Sequence, residues 1–263
     1  MIKAKSEEMG LIADLFKEVD DSMVIACLQG YMGDAWVDKL PNPTVGLIVS
    51  GEYSFFAGDA ESVAGKRLAE ELFTLNPNDS TIAIFGYGKS EWENTLLSVT
   101  KNNPKVVPRF RIGQTAQGKD FDTALLQNIV DGLPDGFTLK EFDADIYQQA
   151  MAADWSKEFC EMFSSVEDYL EKGFGFAAVH DGRLVSGASS MTIYDGGIEI
   201  QVATHEGYRQ MGLALPCAAA LVLECVKRGL RPHWDAANLT SKHMALKLGY
   251  EYLGEYITIH MHR

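Results

Sequence analysis

Ile198–Ala214 reads IEIQVATHEGYRQMGLA, a strand that feeds a loop that feeds a helix. The strand portion, Ile198–Thr204, alternates: Ile198, Ile200 and Val202 share one face, and Glu199, Gln201 and Ala203 the other. On a half-buried strand the second face meets water. Glu199 is then either a solvated charge or a base set beside the loop. The loop carries Arg209-Gln210-Met211-Gly212-Leu213-Ala214, the pattern R/Q-x-x-G-x-G/A. The first N–H groups of the helix that follows have no intrahelical acceptor, and the helix dipole adds positive potential there. Such donors can hold a pyrophosphate where the chain approaches it closely. Gly212 and Ala214 carry little side chain to obstruct that approach. Pro216 falls in the first turn, where a missing N–H costs nothing. The same six residues would also suit a plain strand-to-helix turn, so the surrounding order of elements decides.

Upstream, Phe137–Phe142 reads as a strand, Asp145–Ala152 and Trp155–Phe163 as helices, and Ser165 as the N-cap of a helix ending at Gly173. Phe174–His180 and Arg183–Tyr194 are strands joined by the two-residue turn Asp181-Gly182. Downstream, Leu213–Arg228 is an apolar helix closed by Gly229, with Cys217 and Cys225 as small buried hydrophobes. Arg231–Ala236 reads as a strand, Thr240–Leu248 as a helix with Gly249 at its end, and Tyr250–His262 as the final strands.

This order over residues 137–262 resembles the GNAT family of N-acetyltransferases, which places its pyrophosphate loop after the fourth strand. The family follows the next strand with an Asn-bearing segment and a helix ending in Gly-Phe or Gly-Tyr. Here His233-Trp234-Asp235-Ala236-Ala237-Asn238-Leu239-Thr240-Ser241 precedes Leu246-Lys247-Leu248-Gly249-Tyr250. More narrowly, the chain is similar to the branch that includes the zwittermicin A self-resistance acetyltransferases, in which the catalytic domain follows an N-terminal half of similar length.

The resemblance implies roles. Main-chain N–H groups of Met211, Gly212, Leu213 and Ala214, with Arg209 and Gln210 nearby, would cradle the pyrophosphate of acetyl-CoA. Main-chain groups of Val202 and Thr204 would align the pantetheine arm, and one such N–H would polarise the thioester carbonyl. Asn238 and Ser241 would face the pantetheine or the sulfur. The implied reaction is direct attack on the thioester by a primary amine of a small molecule. An alkylamine is protonated at neutral pH, so a base is needed. Glu199 is the first candidate. His205, which flanks the loop with Glu206, can serve instead, and Asp235 is the third. Many members place a Tyr on the final helix as the acid, and here Ala245 falls at or near that position. Ser241 would replace it, or the thiolate would leave unassisted. A non-catalytic acyl-CoA-binding or regulatory module is the alternative reading of that departure.

Composition sets outer bounds. The 263 residues are 46% hydrophobic and 23% charged, an ordinary globular balance with room for two domains. A net charge of -14 implies no basic face, so neither nucleic acid nor membrane is expected as a partner, whereas a cationic amine suits it. Cys27, Cys160, Cys217 and Cys225 form no C-x-x-C pair and no His/Cys cluster, and no metal is expected. The opening MIKAKSEEMG lacks the apolar region of a signal peptide, and no run approaches the roughly 18 apolar residues of a membrane span. A cytoplasmic setting is expected, with a homodimer as the protein partner considered.

The first half alternates. Ser6–Asp20, Met23–Trp36, Ala60–Leu75 and Glu91–Thr100 read as helices, and Thr44–Ser50, Tyr53–Ala57, Thr81–Phe85 and Val106–Ile112 as strands. The fold class expected is therefore α/β, or α+β with a mixed sheet: a C-terminal GNAT-like acyl-CoA-binding fold preceded by an α/β domain of unknown role. A degenerate copy of the same fold, without the anion loop, is one reading of that first domain. Turn formers over 113–136 place the division there, giving domains 1–130 and 134–263. Gly86-Tyr87-Gly88-Lys89-Ser90 ends like a P-loop, but the position five before Gly88 is Ala83, inside a strand, which leaves no loop to wrap phosphates. His260 and His262 share a strand face without a third ligand and read as solvent-facing.

Overall fold

The computed structural model describes residues 1–88, 90–113 and 121–263; Lys89 and the polar stretch 114–119 read as part of the join lie outside them. In chain order the first elements are β1 (Ile2–Lys3), α1 (Met9–Ile12), α2 (Ser22–Leu28), β2 (Asp34–Val37), β3 (Val45–Ser50), β4 (Tyr53–Gly58), α3 (Val63–Glu70), α4 (Leu72–Leu75), β5 (Ser80–Ile84), α5 (Glu91–Val99) and β6 (Lys105–Gly113). There follow α6 (Thr123–Asp131), β7 (Thr138–Glu141), α7 (Ala144–Met151), α8 (Val166–Lys172), β8 (Gly175–His180), β9 (Arg183–Tyr194) and β10 (Gly197–Thr204). The last are α9 (Ala214–Arg228), β11 (Arg231–His233), β12 (Asp235–Ala236), α10 (Leu239–Lys247) and β13 (Glu251–His262).

These elements form two compact units that do not follow chain order. Unit 1 comprises Met1–Arg111 and Gly254–Arg263, and unit 2 comprises Ile112–Leu253. The turn formers that set the division at 130–134 mark where the chain bends, not which core a segment joins. So α6 falls in unit 2, where it packs along α9, and the end of β13 falls in unit 1.

In unit 1 the sheet runs β1-β2-β3-β4-β5, then β13, then β6. Ile259–His262 of β13 lie antiparallel to Ser80–Ala83 of β5. Ile259 and Met261 are fully buried in a core with Val45, Leu47, Phe56, Leu68, Ala83 and Leu96. Two expectations are corrected. Met23–Trp36 is not one helix: α2 stops at Leu28, and Gly30 and Gly33, at φ 79 and 90, turn the chain into β2. Ser6–Asp20 breaks into three short turns. Ile12 and Phe16 are buried, so the helical spacing is real but the hydrogen bonding is not α throughout.

His260 is also not solvent-facing. Its Nε2 is buried without a hydrogen-bond partner. Burial, with the nearby Arg109, His262 and Lys105, holds its imidazole below the usual 6.5. The unfolded chain then binds this proton more readily than the folded one, so stability rises with pH through the window. Unit 1 is expected to hold full stability above pH 6.5 and to lose it as the pH falls further. Urea midpoints between about pH 7 and 5 should slope less in His260→Gln than in wild type; equal slopes would remove His260 as the cause.

In unit 2 the sheet order is β11-β10-β9-β8-β7. The β8–β9 hairpin turns on Asp181 and Gly182, both left-handed at φ 48 and 76, as the sequence predicts. The two units share one pattern. In unit 1, β4 is antiparallel to β3 and parallel to β5 over Tyr53–Phe55 and Ile82–Ile84. In unit 2, β10 is antiparallel to β9 and parallel to β11 over Gly197–Glu199 and Arg231–His233. Both central strands then enter a loop and a helix, so unit 1 is a second copy of the unit 2 topology.

Candidate active site

The site begins where two strands part. β11 runs beside β10 only as far as the Glu199–His233 rung. Arg231–Ala236 is not one strand, as expected from sequence: it breaks at Trp234, and β12 is not a strand of this sheet. On the other side of β10, the β9 register skips Met191 between Glu199 and Ile200, a bulge that adds local twist. From Ile200 to Thr204, β10 therefore shows an edge. The His205 N–H donates to the Val185 carbonyl, so by the two-residue alternation Ala203 and Gln201 turn their main-chain groups toward β9. Those of Val202 and Thr204 face the opened edge.

That edge leads into the loop. Gln210 and Gly212 have positive φ, 64 and 81, and Leu213 returns to a right-handed conformation. Such an alternation turns successive N–H groups to one side. A Cβ on Gly212 would come no closer than 4.0 Å to its nearest neighbour, Pro134 Cγ, so the space above it is open. The start of α9 has no side-chain cap. By contrast, Asp21, Ser62, Ser90, Asp122, Asp143, Ser165 and Asn238 cap α2, α3, α5, α6, α7, α8 and α10. Among the described residues α1 and α4 also lack a side-chain cap, but each continues a preceding helical turn; α9 is the uncapped helix that a strand and loop feed. Its counterpart in unit 1 is filled by the chain itself. Ser62 Oγ accepts from Gly65 N–H, and Asp59 Oδ1 accepts from Glu61 and Ser62 N–H. A carboxylate stands there in place of an anion site.

A cleft of 840 Å³ lies along the edge and loop. Val202, Thr204, Arg209, Gln210, Gly212, Leu213, Ala214, Asn238 and Ser241, all singled out from sequence, line it together. Glu199, His205 and Met211 are not among the lining residues. Trp155, Tyr208, Trp234, Met244 and Lys247 also line it, and the sequence reading missed them. Tyr208 carried a signal, an aromatic residue just before Arg209. The Tyr208 hydroxyl lies 3.2 Å from His180 Nδ1, and its ring packs against His205 and Phe137.

The polar groups are held individually. Glu199 is not a solvated charge: it is 4% exposed. Its Oε2 lies 2.5 Å from His233 Nδ1, and its Oε1 accepts from Asp235 N–H at 3.3 Å. The alternation along β10 is sound, but the second face is covered. Gln201 donates to Glu158 beside the Lys157–Phe159 turn, and β11 flanks Glu199. That turn is all that forms of the Trp155–Phe163 helix. His205 Nδ1 accepts from Gly207 N–H, which fixes the ring as the cap of a short turn. Asn238 Oδ1 caps α10 through Ser241 N–H, so only its amide nitrogen can reach a ligand in the cleft. Ser241 Oγ accepts from the Trp234 indole at 3.0 Å, which directs its own proton elsewhere. Ala245 is fully buried and offers no acid. The Tyr250 hydroxyl donates to the Pro232 carbonyl, and burial holds its pKa well above the usual range. Burial pushes all four cysteines up to about 12, so none is a ready nucleophile at neutral pH.

The family model described as GNAT acetyltransferase matches residues 13–259, across both units. The chain belongs to the GNAT acetyltransferase family. A GCN5-related N-acetyltransferase-like protein from Streptococcus suis 89/1591 is 34% identical, covers 99% of this chain and 100% of its own, and superposes with a TM-score of 0.87. An uncharacterized N-acetyltransferase, YdfB of Bacillus subtilis strain 168, is 32% identical over 167 residues, 63% of this chain. The match spans 60% of that curated relative's length. A tandem GNAT protein from the clavulanic acid biosynthesis pathway shares the fold alone, at 14% identity, with 99% and 97% coverage and a TM-score of 0.56. The mixed α/β fold is that of the GNAT acetyltransferase family. Among the described residues no helix is long and apolar enough to cross a membrane.

Proposed function

We propose that this protein transfers an acetyl group from acetyl-CoA to a primary amine of a small molecule. The observation that carries this reading is the continuity of the β10 edge with the uncapped start of α9. Bound acetyl-CoA would supply an acyl group activated as a thioester. The N–H groups around Gly212–Ala214 would hold the pyrophosphate, and the main-chain groups of Val202 and Thr204 would align the pantetheine. Arg209, whose Nε lies 3.4 Å from the Thr204 carbonyl, stands at the cleft for the same charge. The net charge of -14 favours approach of a cationic amine.

The Ser241 hydroxyl would donate a hydrogen bond to the departing sulfur, which leaves as the thiolate. A thiolate leaves readily without help, so Ser241→Ala is expected to lower turnover only about tenfold, with acetyl-CoA affinity unchanged. An equal loss of affinity would assign Ser241 to binding instead.

Calorimetry with acetyl-CoA, followed by CoA release across a panel of small primary amines, tests the reading. Micromolar-range binding with amine-dependent release supports it. No binding by folded protein sinks it. Binding without turnover across the panel turns it into a non-catalytic acyl-CoA-binding module.

A further inference from the structure

Thr192 on β9, Glu199 on β10 and His233 on β11 form one row across three neighbouring strands, at the last rung before β10 and β11 part. The row is buried. Thr192 is 0% exposed, with a hydroxyl that has no hydrogen-bond partner, and the side chains of Glu199 and His233 are 6% and 14% exposed. Both oxygens of Glu199 accept hydrogen bonds, one from His233 Nδ1 and one from the Asp235 main chain. Both carboxylate oxygens are thus engaged by donors within the protein. The same contact fixes the neutral imidazole as the Nδ1–H tautomer, which puts the lone pair on Nε2. The His233 side chain is the more exposed of the pair, 14% against 6%.

We propose that His233, oriented by Glu199, is the base that takes the proton from the acceptor amine. This rests on the acetyl-transfer reading, and it moves the base from Glu199 to its neighbour. The anion loop follows Thr204, so a pantetheine lying along β10 would run back toward Ile200 and bring its acyl end to this rung, just past the residues that line the cleft. There the amine nitrogen bonds the acyl carbon as its proton passes to Nε2, directly or through one water. The carbon–sulfur bond breaks and its electron pair leaves on sulfur. Glu199 balances the imidazolium that forms, as the carboxylate of a nucleophile–histidine–carboxylate triad does. Among the described residues, the other ionisable groups around the row include Cys225 on α9, Arg231 on β11, Asp235, Tyr194 and Tyr250. Tyr250 stays neutral, its hydroxyl donated to Pro232.

Two measurements test this. In protein labelled at the imidazole nitrogens, NMR titration reports the His233 tautomer and pKa, with His233→Gln identifying its signal among the six histidines. Glu199→Gln should lower that pKa by about one unit or more and release the tautomer. An unchanged titration means the pair is not coupled and overturns the proposal, whatever the acceptor is. The second measurement is the pH profile of CoA release with the best amine of the panel. His233→Gln should lower kcat about a hundredfold and remove the acid limb, with calorimetric affinity for acetyl-CoA kept as evidence of folding. Glu199→Gln should keep a limb, displaced to lower pH. If His233→Gln keeps the limb while Glu199→Gln loses it, the base is Glu199 and the proposal fails. Failure of wild type to bind acetyl-CoA would instead overturn the acetyl-transfer reading and leave the titration result standing.

Discussion

Gly212→Glu is expected to weaken acetyl-CoA binding at least a hundredfold while the protein stays folded. Three features combine at this position. The backbone sits at φ 81, where a side chain costs about 1–2 kcal/mol. The Cβ itself meets nothing closer than 4.0 Å, so the fold tolerates the added atoms. The carboxylate, however, enters the space where the unmet N–H groups of α9 would hold a pyrophosphate, and it repels that group while competing for the donors. A hundredfold loss corresponds to about 2.7 kcal/mol. Gly212→Ala separates the causes: it carries the backbone strain without the charge and should lose less than about tenfold. Calorimetry on the three proteins decides. Binding by the Glu variant within a few-fold of wild type would place the pyrophosphate elsewhere.

Ile259→Ala should destabilise unit 1 by about 2–5 kcal/mol, the range for truncating a well-packed Ile. Ile259 is fully buried, in register with Ala83 of β5, in the core that holds Leu47 and Phe56. His262→Ala, exposed on the same strand, is expected to change stability by no more than about 0.5 kcal/mol. Hydrogen exchange reads the difference directly. Amides of β3, β4 and β5 should lose protection in Ile259→Ala and keep it in His262→Ala. Unaltered exchange in those strands would mean the returning strand adds little to unit 1.

What the sequence shows depends on how local each feature is. The anion loop is legible because its causes lie within a few residues: small side chains at Gly212 and Ala214, and a helix directly after them. The Asp181-Gly182 hairpin is legible for the same reason. Glu199 is not. Its alternation pattern assigns it to a wet face, and nothing near it in the chain announces that His233, thirty-four residues on, fills the neighbouring position. Trp155 joins the cleft through tertiary packing alone. From sequence a degenerate copy is only one reading of the first half, because where the anion loop would be, Asp59 and Ser62 cap their own helix. Only the strand pairing shows it. The helix expected over Met23–Trp36 fails where Gly30 and Gly33, at positive φ, redirect the chain between α2 and β2.

The place of Ile259 and Met261 in unit 1 also sets an order of events during protein synthesis. Residues 1–111 leave the ribosome first, but β5 and β6 lack the strand that lies between them until 254–263 has been made. All of unit 2 is translated in that interval. Meanwhile the nascent first unit carries two unpaired strand edges and an unfilled core, the features that invite misassembly. The portion of the chain that is made first therefore waits for the portion that is made last.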